Sequence, residues 1–269
     1  MASTPSALEG FARDGFEALG VRRDVWRLGD GPAVIVIAEI PGITPLVLSF
    51  ARRVAAAGMS IALPHLFGED GKEPAGSYLL GSFARACVSR EFTVLATGRS
   101  SPVVEWLRAL ARAEHERAGG PGVGVVGMCF TGGFALAMMA GAPVVAPVLS
   151  QPSLPFSIGT RRAADLGCSA AELAAIHAKV AGGAQVLGLR FTGDRAVKAA
   201  RFESLRRELG DAFIAVEIDS SPGNQFGHRK GAHSVLTEDL VDREGSPTMA
   251  ALHQVLDFLA SKLEVVRDS

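Results

Sequence analysis

The tightest constraint on the fold is a period. Short apolar runs suited to buried strands alternate with amphipathic segments of about ten to fifteen residues. AVIVIAE (33–39) is a continuous apolar run of the kind buried on both faces of a sheet, and TPLVLSFARRVAAAG (44–58) is an amphipathic helix ending at Gly58. MSIALP (59–64) is the next strand, followed by a helix from about Pro102, the strand VGVVGM and a helix from about Thr131. Beyond Pro143 come an apolar strand, a helix near 169–180 opened by the Ser169/Glu172 capping pattern, and the strand QVLGLRFTG. A helix over 197–209, the strand AFIAVEI and a helix over 248–262 complete the series. Strands alternating with helices build βαβ units, so the expected architecture is α/β: a doubly wound, mostly parallel sheet with helices on both faces. Unequal spacing and long loops disfavour the rival, a closed eight-fold barrel. The 269 residues carry no repeat or long linker and read as one domain over 1–269, with its core at about 30–265.

Composition narrows the function classes. With 48% hydrophobic residues, 20% charged residues and a formal net charge of -1, the chain has no basic stripe for nucleic acid and no polybasic arm for anionic lipid. Neither a nucleic-acid nor a membrane partner is expected, and the chain is expected as a monomer or homodimer. The first residues lack the charged and apolar regions of a secretory signal, and runs such as AVIVIA fall well short of a membrane span, so a cytoplasmic location is expected. Cys87, Cys129 and Cys168 are too few and too scattered for a disulfide framework, and their spacing does not suggest zinc. No cofactor and no metal is expected.

Cys129 has a context that the other two cysteines lack. It closes the strand VGVVGM and opens the helix that follows, and in open parallel sheets ligands gather at such carboxyl ends. G-M-C-F-T-G is close to a nucleophile elbow, in which flanking small residues allow a sharp strand-to-helix turn that lifts the reactive atom above the sheet. Thr131 stands where the second elbow glycine is usual, with Gly132 and Gly133 after it. The helix N-terminus would favour both a thiolate and an acyl-transfer oxyanion. G-M-S-I-A (58–62) imitates the pattern but opens a strand, which argues against Ser60.

A cysteine nucleophile needs a base and an orienting acid, in the chain order nucleophile, acid, histidine. Asp194, just past the strand QVLGLRFTG, fits the acid, although a turn or helix-cap role would also suit it. Of the later histidines, His177 and His253 fall in helical patterns, while His228 and His233 share the loop after AFIAVEI; His233 is the preferred base. Glu39, at the end of an apolar run, enters the same crevice unless it is simply a solvated strand-end residue.

These segments together resemble the dienelactone hydrolase family, α/β-hydrolases with cysteine where most relatives use serine. VIVIAEIPGI is similar to its first core strand and glutamate-bearing turn, and RRVAAAGMSIALPHLFG to its helix, strand and following loop. GMCFTGG resembles the elbow, and FTGDRA and GAHS the acid and histidine segments. The resemblance implies the α/β-hydrolase fold, Cys129 as nucleophile, His233 as base, Asp194 as orienting acid and Glu39 near the thiol. It also implies an oxyanion hole formed by the backbone N–H groups of Ile40 and Phe130. The family is expected to hold a substrate carboxylate with arginines, one shortly after the histidine, but Ser234, Val235, Leu236 and Thr237 stand there, and the loop GEDGKEP is acidic. Arg85 or Arg90 could substitute, and Tyr78 could line the pocket.

The expected activity is hydrolysis of a small-molecule ester, lactone or thioester through an acyl-enzyme. The alternatives are a non-catalytic ligand- or partner-binding module on the same fold, or a thiol used for acyl transfer or redox sensing.

Overall fold

A computed structural model describes residues 6–73, 101–153 and 163–265. Tyr78, Arg85, Cys87 and Arg90 fall outside the described residues. An eight-stranded sheet runs in the order β1-β2-β4-β3-β5-β6-β7-β8. Its strands are β1 (Ala12–Ala18), β2 (Val21–Leu28), β3 (Ala33–Ile37), β4 (Ser60–Pro64), β5 (Val123–Met128), β6 (Val144–Ser150), β7 (Val186–Phe191) and β8 (Phe213–Ile218). β2 pairs antiparallel with both β1 and β4, and the other neighbours pair in parallel. This is an α/β-hydrolase fold.

Among the described residues six helices cover the sheet: α1 (Pro45–Ala56), α2 (Pro102–Ala118), α3 (Gly132–Gly141), α4 (Ala170–Ala181), α5 (Ala199–Leu209) and α6 (Pro247–Lys262). The alternation of side chains along a strand divides the core in two. Ala33, Ile35 and Ile37 of β3 face the layer that holds α2, α3, α4 and α5. Val34 and Val36 face α1 and α6. Both faces are therefore dry, which is why β3 reads as an unbroken apolar run. α3 has almost no polar side, and its residues from Gly132 to Met139 are buried. It is the central helix, and it carries the chain directly away from Cys129.

Helix boundaries follow local chemistry. Thr44 accepts a hydrogen bond from the Val47 N–H at the start of α1. Ser169 and Glu172 form the reciprocal capping box expected for α4. β1 and β2 were not legible as strands because their partly exposed residues alternate charge with apolar groups. Their hairpin turns at Leu19 and Gly20, both with positive φ.

Among the described residues, no helix is long and apolar enough to cross a membrane.

Candidate active site

Parallel strands place their carboxyl ends along one edge, and four of those ends meet here. Cys129 follows β5, Glu39 follows β3 by two residues, Asp194 follows β7 by three, and His233 lies in the long loop after β8. Cys129 occupies a left-handed backbone conformation, φ 54°, unusual for a residue with a Cβ and matching the expected strained elbow. Gly127 explains one side of the turn. A Cβ there would sit 2.2 Å from the Thr131 carbonyl oxygen. On the other side Gly132 allows the helix to start against Pro152, whose Cα would lie 2.7 Å from an added Cβ. The second close approach of this elbow thus falls one residue later than the usual motif.

Thr131 has its own purpose. Its hydroxyl accepts from the Met128 N–H at 2.9 Å and lies 2.8 Å from the Ile37 carbonyl oxygen, to which it donates. The elbow is thereby tied to the end of β3, the strand that delivers Glu39. Thr131→Val keeps the shape and removes the hydroxyl, leaving a buried donor and a buried acceptor without partners at about 1–3 kcal/mol each. Urea unfolding is expected to show a loss of about 2–6 kcal/mol. A loss under about 0.5 kcal/mol, the usual range for an uninvolved surface site, would remove this tie from the account.

The His233 ring places Nδ1 2.6 Å from Asp194 Oδ2, and a ring nitrogen lies within 4.8 Å of Cys129 Sγ. Burial opposes the imidazolium, but hydrogen bonds to Asp194 and Cys129, together with their charges, raise its pKa to about 11. Asp194 makes the contacts that both readings of it called for. Oδ1 accepts from the Ala196 and Val197 N–H groups at 2.8 and 3.3 Å, a local turn that leaves Oδ2 to the histidine. Asp239 holds the histidine's backbone, accepting from the His233 N–H at 2.7 Å and the Ser234 N–H at 3.1 Å.

Glu39 is buried, at 7% exposure, and is no solvated strand-end residue. Its carboxylate accepts from Ser234 Oγ at 2.7 Å, from Gln151 Nε2 at 3.2 Å and from the Thr237 hydroxyl. Ser234 and Thr237, found where the resemblance led to an arginine, therefore supply neutral donors. Ile40 lines the same cavity of about 420 Å³ as Glu39, Cys129 and His233. Phe130 lies in the one-turn 3-10 segment Cys129–Thr131, its ring edge-on to Phe134.

The remaining candidates separate from the site. His228 is buried against Phe191 with no hydrogen-bond partner for Nε2. His177 pairs with Glu208 and His253 is exposed on α6. Ser60 begins β4, where its hydroxyl donates to the Gly31 carbonyl. Burial pushes the Cys168 thiol up, away from ionisation.

Two residues went unnoticed in the sequence. Ser153 Oγ lies 3.3 Å from Cys129 Sγ, and its N–H donates to the Cys129 carbonyl at 2.9 Å. Gln151, fully buried with φ 36°, donates to Glu39 and accepts from the Val235 N–H at 3.3 Å. Their only signal was position past β6, and that becomes informative once β6 is known to pair with β5.

Solved structures confirm the architecture. A Klebsiella pneumoniae protein assigned to the dienelactone hydrolases superposes with TM-score 0.63 at 18% identity, over 94% of this chain and 98% of its own. A dienelactone hydrolase-like promiscuous phosphotriesterase from metagenomic libraries gives 0.61 at 15% identity, with the same two shares covered. A dienelactone hydrolase from Anabaena variabilis gives 0.58 at 15% identity, again over 94% and 98%. At these identities the likeness speaks for the fold. A comparison with curated protein sequences finds no match. The model of the Dienelactone hydrolase family matches residues 21–262, a span that runs from β2 to the end of α6 and takes in every strand end that meets at Cys129. The chain belongs to that family of hydrolases.

Proposed function

We propose that the protein hydrolyses a carboxylic ester or lactone, thioesters being the related class, through a Cys129-His233-Asp194 triad and an acyl-enzyme. The observation that carries this reading is the continuous line from a strained elbow thiol to a histidine whose far nitrogen meets a buried carboxylate at 2.6 Å. His233 Nε2 takes the thiol proton, and Cys129 Sγ bonds to the substrate carbonyl carbon. The Ile40 and Phe130 N–H groups hold the resulting oxyanion, each worth about 2.7–4 kcal/mol in comparable enzymes. The intermediate collapses by breaking the bond to the leaving oxygen, which takes the proton from His233. Water, deprotonated by the same nitrogen, then cleaves the thioester and releases the acid with the thiol restored. The raised pKa of His233 suits a group that must hold this proton until the leaving oxygen needs it.

The pocket favours uncharged substrates. Among its described lining residues Arg229 is the one arginine or lysine, and its guanidinium is bound to Asp239 at 2.8 and 3.2 Å. Glu39 and Glu238 add negative charge. A panel of short p-nitrophenyl esters and lactones tests both claims. Neutral lactones are expected to exceed carboxylate-bearing ones in kcat/KM by at least about tenfold, or ~1.4 kcal/mol. The reverse preference would refute the substrate assignment, and no turnover of any ester, lactone or thioester would favour a binding module.

A further inference from the structure

The same edge of the sheet brings together a sulfur, an imidazole nitrogen and a carboxylate oxygen from three loops. These donor atoms of Cys129, His233 and Glu39 all lie within 4.8 Å of one another. A tetrahedral zinc ion, with bonds of about 2.0–2.3 Å, holds its ligands roughly 3.3–3.8 Å apart, so small side-chain rotations close the set around one ion. Spacing along the sequence gave no hint, because the ligands are separated by 90 and 104 residues (129 − 39 and 233 − 129).

We propose that Cys129, His233 and Glu39 form a reversible binding site for a borderline-soft divalent cation, zinc in the first place, and that its occupancy blocks the thiol.

The supporting evidence lies in what surrounds the three ligands. Metal-binding histidines almost always give their second nitrogen to a carboxylate or carbonyl, which fixes the ring and its tautomer. His233 does so with Asp194 at 2.6 Å, leaving Nε2 for the ion. Ligating carboxylates are themselves held by hydrogen bonds, as Glu39 is by Ser234 and Gln151. Ser153 lies beside the sulfur. All three ligands line the 420 Å³ cavity, which supplies an entry path and room for a water as fourth ligand. One thiolate and one imidazole select zinc or cobalt over magnesium or calcium, which prefer sets of oxygens. Zinc takes the deprotonated sulfur and a neutral imidazole nitrogen, so binding is accompanied by proton release and forms the Zn–S bond at the atom needed for attack on a carbonyl.

Equilibrium dialysis of the intact protein against zinc chloride, with a colorimetric chelator as competitor, tests the site without reference to turnover. One zinc per chain is expected, with magnesium failing to compete. Cobalt(II) in its place should give a near-ultraviolet thiolate-to-metal charge-transfer band. Cys129→Ser should weaken zinc binding at least about 100-fold and abolish that band, and Asp194→Asn should weaken it about 10–100-fold. Cys168→Ser should leave both readouts unchanged. Circular dichroism of each variant checks that the fold is kept. The proposal falls if the protein retains no zinc, if Cys129→Ser binds it as tightly as the parent, or if zinc-loaded protein keeps full esterase activity. Zinc binding by a protein without esterase activity would keep this site and remove the hydrolytic reading, and the converse result would do the opposite.

Discussion

Cys129→Ala is expected to lower hydrolysis of p-nitrophenyl acetate by at least about 10⁴-fold while the protein stays folded. Deleting the nucleophile of a catalytic triad costs on the order of 10⁶ in kcat, and the oxyanion hole with substrate binding alone leaves roughly 10³–10⁴ over water. Stability should barely move. The thiol is only partly buried, and its φ of 54° strains any residue with a Cβ, so alanine inherits the strain without a new cavity of consequence. Steady-state kinetics with urea unfolding of the same preparation separates the two effects. Full activity in Cys129→Ala would falsify the mechanism. Activity lost together with the fold would instead move the question to Cys129→Ser, which keeps the shape.

Asp194→Asn should be nearly as damaging, about 10⁴-fold in kcat, and for a reason specific to this site. The turn after Asp194 already claims one oxygen, through the N–H groups of Ala196 and Val197. An asparagine keeps its oxygen there and turns its NH₂ toward His233 Nδ1. That nitrogen must then accept, which puts the ring proton on Nε2, where it faces Cys129 and cannot take the thiol proton. Stability carries a second signature. The folded pKa of His233, about 11, lies above its ordinary 6.5, so the pairing's contribution is full below pH 6.5 and is lost as pH rises toward 11. The urea midpoint of Asp194→Asn should therefore fall below the parent's near neutrality and converge with it at strongly alkaline pH. A gap independent of pH would show that Asp194 supports the turn alone.

The sequence conveyed the interior of the sheet better than its edge. β3, β5 and β7 are dry on both faces, so their apolar runs stand out, whereas β1 and β2 are half exposed and leave no such mark. Within the site, Cys129 and Asp194 were legible because each lies within three residues of the end of a buried strand, and chain order then pointed to a later histidine. Ser153 and Gln151 were not legible, since their meaning depends on β6 lying next to β5. Thr131 looked like a departure from the elbow because a motif records residue types and not the carbonyl of β3 that a hydroxyl can reach. Glu39 was visible as an oddity, but the hydroxyls and amide that hold it come from loops more than a hundred residues away.

Asp239 accepts from the backbone of His233 and also grips Arg229 at the mouth of the cavity. An exposed cation of the cavity lining and the histidine proposed to move the proton thus hang from one carboxylate. Entrance and chemistry are thereby linked: replacing Arg229 to admit a different acyl group also frees the carboxylate that holds the His233 backbone from its other partner. Changes of substrate range in this protein should therefore arise first at Leu46, a lining residue on α1 that does not share that carboxylate.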